Sequence, residues 1–329
     1  MSDGARTVAV VGAAGFAGAI AARLLWRHPS FELASVTARG DDVGRRLDDL
    51  YPHHRVPLVL EDFDPDHQGS LDAVVVAYPH GASAPVVAEL RARGANVVDL
   101  SADFRLQDRE AYDEWYGEHR APELFGTAVY GLPELHREEI EAATLVANPG
   151  CYPTAALIAL APLREWIADV VIDAKSGVSG AGRKATATTH FVSADENVTP
   201  YGVTGHRHAP EIEEQLGHPV TFVPHLLPLD QGELVSAYVT PVEPLIQAQV
   251  DELYERAYAA EPFVELADRP PGVRDVRETN VCRVHVHADE RTGKVFAFGA
   301  IDNLWKGAAS QAVQNLNLMF GLPEGEGIS

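Results

Sequence analysis

Lysine is almost missing from this chain. Only Lys175, Lys184, Lys294 and Lys306 occur among 26 basic residues, against 48 acidic ones, and the formal net charge is -22. That sign disfavours nucleic acid and anionic membranes as partners, since both are gripped by Lys and Arg neutralising phosphates. Acid in excess with little lysine is the composition expected of an enzyme kept soluble at high salt. Cysteine is scarcer still, with Cys151 and Cys282 alone. Two cysteines cannot make a disulfide framework, so a reducing cytoplasm is the expected setting. No apolar run reaches the roughly 18 to 20 residues that span a bilayer. The opening "MSDGARTVAVVGAAG" is polar and then strand-like, unlike a secretory signal.

What is present fills two domains, the default for 329 residues. "TVAVVGAAGFAGAIAARLLWRHP" reads as a strand from Thr7 to Val11, a glycine turn, and a helix from about Gly15 to Arg27. "FELASVTAR", "DAVVVAYP" and "NVVDLS" read as three further strands, and "SAPVVAELRARG" as a helix stopped at Gly94. Strands alternating with helices predict βαβ units and a parallel sheet covered on both faces. After Cys151 the texture changes. "ADVVIDAKSG", "PVTFVPHLLP", "GELVSAYVTPV" and "NVCRVHVHAD" read as strands with fewer helices between them, predicting a mixed or antiparallel sheet under one helical layer. Cys282 shares a strand face with Val284 and Val286 and is expected in the core. "DNLWKGAASQAVQNLNLMFG" reads as a closing helix ended by Gly321.

Gly12, Gly15 and Gly18 are spaced G-x-x-G-x-x-G directly after the first strand. A tight turn uses the first glycine, a pyrophosphate approaches the backbone where no side chain stands, and the helix N-terminus offers N–H groups to it. An acid at the end of the second strand normally serves the ribose hydroxyls of NAD. Here Thr37 and Arg39 occupy that region, and Arg39 suits the 2′-phosphate of NADP. The alternative gives the ribose to Asp41 or Asp42.

Cys151 follows Asn148-Pro149-Gly150 and opens the apolar helix "CYPTAALIAL". The field of a helix N-terminus stabilises a thiolate, which is the attacking form of cysteine. A nucleophilic cysteine beside a nicotinamide site points to one chemistry: attack on an activated acyl group, reduction of the resulting thioester, and collapse to an aldehyde. That requires a proton carrier and donors for the anions. "TGHRHAPEIEEQL" supplies His206 and His208 at the start of a helix, with Glu211 placed to orient the ring of His208. Metal binding is the rival reading of His-x-His, and the two cysteines offer it no matching ligand pair. "AKSGVSGAGRKAT" (Lys175, Ser176, Gly177, Ser179, Gly180, Gly182, Arg183) is a loop able to turn N–H groups toward an anion. Arg105 in "DLSADFR" suits a phosphate, against a salt bridge with Asp103 or Asp99.

Taken together, "VGAAGFAGA", "AYPHGAS", "DLSADFRL", "VYGLPEL", "NPGCYPTA", "KSGVSGAGR", "GHRHAPEI" and "DNLWKGAASQAVQNLNLM" resemble the N-acetyl-gamma-glutamyl-phosphate reductases, the arginine-pathway branch of the aspartate-semialdehyde dehydrogenase-like family. The resemblance spans essentially the whole chain. It implies a homodimer or homotetramer that uses NADPH to reduce N-acetyl-L-glutamyl 5-phosphate to the semialdehyde. It implies an α/β fold with a Rossmann-type dinucleotide-binding domain (1–150 and 304–329) and an α+β catalytic and oligomerisation domain (151–303). By motif, Cys151 is the nucleophile and His208 the acid–base, with His206 the second choice. Gly12, Ala14, Gly15, Phe16, Ala17 and Gly18, with Thr37, Arg39, Pro79, His80, Gly81, Ser176, Gly177, Asn303 and Lys306, fall along the cofactor. Ser101, Arg105, Asn148, Ser179, Gly180 and Arg183 fall to substrate and phosphate, and no metal is implied.

One departure stands out. Where the family carries an arginine before a glycine, "PLDQGEL" has Asp230 and Gln231, which bears on the substrate carboxylate. Relatives in some archaea and bacteria reduce glutamate or aminoadipate phosphate attached to a small acidic carrier protein. Their cysteine and serine motifs depart from "NPGCYPTA" and "KSGVSGAG", which this chain keeps, and an acidic surface is a poor mate for an acidic carrier. A halophilic archaeal source, at which the charge hints, argues the other way. From another class, a non-catalytic NADP sensor would have no use for Cys151, His208 and the serine loop together.

Overall fold

The computed structural model describes residues 6–328, and the chain divides into two units. The first comprises Met1–Pro149 and Ala308–Ser329. Its strands are Arg6–Val11 (β1), Phe31–Thr37 (β2), Leu60–Glu61 (β3), Ala73–Val76 (β4), Asn96–Asp99 (β5), Val129–Tyr130 (β6) and Leu145–Ala147 (β7). They form one parallel sheet in the order β3-β2-β1-β4-β5-β7-β6. The order reverses direction between β1 and β4, the switch point where ligands sit in open sheets of this kind. β4 reads AVVV and is buried at every residue, as a central strand covered on both faces must be. Ala9, Val11, Val74, Val76, Val97 and Ala147 make one sheet face and pack with Val86, Val87 and Leu90 of the helix Ser83–Ala92. The two edge strands, β3 and β6, are two residues long, which leaves little unpaired backbone.

The helix Ser310–Met319 packs on the helices Phe16–Trp26 and Pro133–Glu141 of this same unit. It is buried on all sides although it carries Gln311, Gln314, Asn315 and Asn317. Buried amides need partners. Asn315 donates to the Gly131 carbonyl at 2.9 Å and to Asn148 Oδ1 at 3.1 Å, and Asn317 donates to the carbonyls of Glu324 and Glu326.

The second unit is Gly150–Gly307. Its strands are Ile167–Gly177 (β8), Thr199–Pro200 (β9), Thr221–Leu227 (β10), Glu233–Pro241 (β11), Val264–Leu266 (β12), Cys282–Asp289 (β13) and Lys294–Ile301 (β14). The order is β12-β13-β14-β11-β8-β10-β9. β8–β10 and β12–β13 are parallel and the other pairs antiparallel, so the sheet is mixed, as expected. Cys282 is fully enclosed. β14, which pairs β11 with β13, has no counterpart in the sequence reading.

The helix Cys151–Leu160 lies on this sheet against β11, β13 and β14. Tyr152 through Leu160 are all buried. Gly299 in β14 makes the close approach possible: a Cβ there would stand 2.7 Å from the Ala155 carbonyl oxygen. At the far end, Tyr258 in the helix Gln247–Tyr258 donates to the Ile158 carbonyl at 2.6 Å, and Tyr254 donates to that of Ala159. Gly299→Ala is expected to lift the helix and cost about 1–3 kcal/mol, the usual range for overpacking. Urea unfolding reads that loss, and an unchanged midpoint would mean that the helix does not depend on this contact.

Candidate active site

In the first unit, Gly12 has φ +88°, and a Cβ on it would lie 2.8 Å from the Ala77 carbonyl. A Cβ on Gly18 would strike the Gly12 carbonyl, so the third glycine lets helix and turn pack together. Gly15 is different, because the nearest atom to its notional Cβ is 3.6 Å away. It precedes the helix Phe16–Trp26 in extended conformation, and no side chain caps that helix. This is a cradle open to an anion, and it fits the pyrophosphate of a dinucleotide. Ala14 and Phe16 border it near Tyr51, whose hydroxyl donates to the Ala14 carbonyl at 2.8 Å. Ala17 stands in the first turn, half-buried.

Thr37 is fully enclosed. Its carbonyl accepts from the N–H groups of Gly12 and Ala13 and so holds the glycine turn to the end of β2. Arg39 is exposed, its guanidinium 3.8 Å from the centroid of the Tyr78 ring. That stacking holds a cation at the end of β2. Asp42, offered for the ribose, pairs with Arg45 at 3.2 Å. Pro79 is exposed, and Gly81 has φ +74° with open space where a Cβ would be. His80 Nδ1 lies 2.6 Å from Asp103 Oδ1, and Asp103 also accepts from the N–H groups of Gly81 and Ala84. Burial pushes the Asp103 carboxyl up, but these hydrogen bonds outweigh it and its pKa is lowered.

Ser101, Arg105 and Asn148 come together beneath the carboxyl ends of β5 and β7. Ser101 donates to Asp99 at 2.6 Å, and burial raises the pKa of Asp99 to about 6. Asp99 and Asp103, the salt-bridge alternatives for Arg105, are held by Ser83, Ser101, His80 and backbone N–H groups. Instead Arg105 is buried and donates to the carbonyls of Asn148 (2.9 Å) and Leu100 (2.8 Å).

In the second unit, Cys151 is the first residue of its helix, half-buried, with Gly150 extended before it and no side-chain cap. The thiol therefore stands in the positive end of the helix field. Gly307 packs against it so closely that a Cβ there would be 2.8 Å from Cys151 Cβ. Glu211 is buried, and its carboxylate accepts from the Gly150 N–H at 2.8 Å. It was expected to orient His208; the bond it makes here pins the turn from which the cysteine helix starts.

The two histidines are distinct. His206 Nδ1 accepts from the His208 N–H at 3.2 Å, and its ring is packed among Tyr152, Tyr201 and Phe222. Burial, with the charge of Arg207 second, lowers its pKa to about 4. His208 caps the helix Ala209–Leu216 and lies edge-on to Tyr152, the residue after Cys151.

The serine loop is held by Asn303. Its amide donates to Ser179 Oγ at 3.0 Å and accepts from the Gly232 N–H at 2.8 Å. Gly177 is hemmed in, since a Cβ would lie 2.7 Å from the Leu229 carbonyl, whereas Gly180 and Arg183 are exposed. Ser176, one residue before the end of β8, is the register partner of Glu233. Lys306, assigned to the cofactor by motif, is completely enclosed, its ammonium 5.7 Å from the Phe263 ring centroid.

Two residues escaped sequence reading. Gly307 gave no signal. Glu233 did: it is an acid in the inward-facing register of Val235, Ala237 and Val239. It is fully buried, and burial raises its pKa to about 8.

Residues 7–143 match the family description "Semialdehyde dehydrogenase, NAD binding domain", and residues 151–303 match "Semialdehyde dehydrogenase, dimerisation domain". The chain is 47% identical over 333 residues to the N-acetyl-gamma-glutamyl-phosphate reductase of Moorella thermoacetica, covering 96% of this chain and 95% of that one. It is 48% identical over 338 residues to that of Rubrobacter xylanophilus, covering 98% of each. Among solved structures, aspartate semialdehyde dehydrogenase II from Vibrio cholerae aligns over 96% of this chain and 99% of its own with TM-score 0.74 at 21% identity. The Candida albicans aspartate semialdehyde dehydrogenase solved with NADP aligns over 96% and 98% with TM-score 0.72 at 14% identity. At these identities the structures speak for the fold.

The depressed pKa of His206 has a consequence for stability. Its folded value, about 4, lies below the unfolded 6.5. As pH falls below 6.5 the unfolded chain takes up a proton that the folded one refuses, so stability drops through the window from 6.5 to about 4. His206→Asn is expected to flatten that part of a stability-versus-pH curve. An unchanged slope would mean that His206 titrates normally.

Proposed function

The chain belongs to the semialdehyde dehydrogenase family, in its N-acetyl-gamma-glutamyl-phosphate reductase branch, and we propose that it reduces N-acetyl-L-glutamyl 5-phosphate to N-acetyl-L-glutamate 5-semialdehyde, releasing phosphate. The observation that carries this reading is Cys151 at the uncapped start of a buried helix, in a chain nearly half identical to such reductases along its whole length. Residues 1–150 with 304–329 hold the dinucleotide, and 151–303 perform the chemistry and associate with another copy. The exposed Phe191 and Val192 of that second part, 74% and 79% accessible, support a homo-oligomer. Among the described residues no helix is long and apolar enough to cross a membrane, in keeping with a cytoplasmic enzyme.

The sulfur of Cys151 attacks the acyl carbon. The S–C bond forms, the C–O bond to phosphate breaks, and a thioester results. His208 gives a proton to the departing phosphate, and His206, neutral and fixed, holds the backbone of His208 in place. Ser179, Gly180 and Arg183 receive the anion, and Ser101, Arg105 and Asn148 fall to the substrate by motif. When bound, NADPH supplies the hydride that takes the thioester to the aldehyde level. Gly12, Gly15 and Gly18 would cradle its pyrophosphate, and Arg39, stacked on Tyr78, would meet its 2′-phosphate.

The missing arginine at Asp230-Gln231 is offset from elsewhere in the chain. Arg277 Nη2 lies 3.1 Å from Asp230 Oδ2, which returns a guanidinium to that turn. This supports a turn able to meet a substrate carboxylate, and the kept "NPGCYPTA" and "KSGVSGAG" motifs favour the free acetylated substrate.

The test is phosphate-dependent reduction of NADP in the reverse direction with N-acetylglutamate semialdehyde, at low and molar salt. Turnover that vanishes in Cys151→Ser is expected, with the greater rate at molar salt. No turnover at any salt, from protein that binds NADPH, would overturn the substrate assignment and favour a carrier-linked substrate or a sensor. Arg39→Ala should weaken NADPH at least tenfold more than NADH, in keeping with one lost charge-assisted contact. Equal loss for both cofactors would remove Arg39 from the 2′-phosphate.

A further inference from the structure

Glu233 opens β11 at the end of an inward stripe continued by Val235, Ala237 and Val239, each fully buried. The helix headed by Cys151 packs on β11. An apolar side chain would complete that stripe, and a carboxyl in its place is costly, since a buried polar group without a partner loses about 1–3 kcal/mol. Neither Glu233 oxygen closes a well-formed hydrogen bond, although the Cys151 thiol and the Ser176 hydroxyl stand within reach of the carboxyl. The strand start cannot drift away from them. Gly232 has φ +119°, its carbonyl accepts from the Gly177 N–H at 3.0 Å, and its own N–H donates to Asn303.

We propose that Glu233 is the proton carrier for Cys151, the two side chains sharing one proton in the resting enzyme. The proposal rests on Cys151 being the nucleophile of the reaction given above. On attack the shared proton stays with the Glu233 carboxyl while the sulfur electron pair forms the S–C bond. When the C–S bond breaks at the end of the cycle the pair returns to sulfur, and Glu233 gives the proton back. Cys151 and Glu233 thereby regain their starting charge, and the phosphate has taken its proton from His208.

The surroundings make a proton on Glu233 cheap to hold. Burial is the largest influence, and it keeps the carboxyl protonated up to about 8, close to the range of an ordinary thiol. Asp302, beyond the end of β14, adds a like charge that acts in the same direction. Tyr152 and Tyr201 near the pair are themselves pushed up by burial and stay neutral, and His206, against Tyr152, is held neutral by its own burial; His208 lies against Tyr152 as well. Two groups of similar acidity that share a proton titrate as a unit, with two macroscopic steps rather than one.

The experiment follows the ultraviolet absorbance of the Cys151 thiolate against pH, taken as wild type minus Cys151→Ser. Wild type is expected to ionise in two steps separated by more than about one pH unit. Glu233→Gln should collapse this to a single step and lower kcat by about a hundredfold or more with little change in KM. A single step in wild type, which is informative even if the variant does not fold, would overturn the proposal, as would two steps that persist in Glu233→Gln. Turnover on the same preparations keeps the two claims apart. Turnover with a one-step titration removes Glu233 and leaves the reaction standing, whereas a two-step titration without turnover keeps the proton pair and removes the substrate.

Discussion

The start of the helix Cys151–Leu160 is the constraint on which the second unit is arranged. The helix has no polar face, so it must be enclosed all round, yet its first residue has to reach a ligand. The chain reconciles these demands with backbone fit. Gly299 lets the helix settle onto the sheet and Gly307 lets another segment close over Cys151. Tyr254 and Tyr258 satisfy carbonyls at the buried end. At the open end no side chain caps the helix, and the Glu211 carboxylate is spent one residue earlier, on the Gly150 N–H. The N–H groups of the first turn thus keep their field for the sulfur.

Around that point the polar groups divide into those that are fixed and those that are poised. Glu211, His206 and Asn303 each make a short bond to backbone or side chain and hold a turn in place. His208 and Ser176 stand on elements that those residues fix. Glu233 belongs to neither group: it is buried and protonated into the neutral range. In the first unit the same division appears, with Asp103 tying His80, Gly81 and Ala84 together while Arg39 remains at the surface.

Much of this was legible in the amino-acid order because backbone requirements leave local marks. A strand followed by Gly12, Gly15 and Gly18 can make few other structures, and Cys151 after Pro149-Gly150 announced a helix start. Cys282 was placed in the core by its strand alternation. Requirements that depend on contacts distant in sequence left no such mark. Gly307 matters only because Cys151 packs on it. Arg105 read as a phosphate ligand or a salt-bridge partner, and nothing in its motif marks the carbonyls of Asn148 and Leu100 that receive it. Thr37 and Lys306 fit a cofactor motif by position and are enclosed in the fold. Motif position assigns a neighbourhood, and burial decides what each side chain does in it. Glu233 is the instructive case, since its inward register was visible and only the identity of the neighbour, Cys151, was not.

The helix N-terminus makes Cys151 a nucleophile, while Cys282 is an inert core residue. Alkylation by iodoacetamide at neutral pH, with each site followed by peptide mass, tests this directly. Labelling of Cys151 is predicted to run at least a hundredfold faster than that of Cys282 and to abolish turnover in step. Equal, slow labelling of the two would contradict the account.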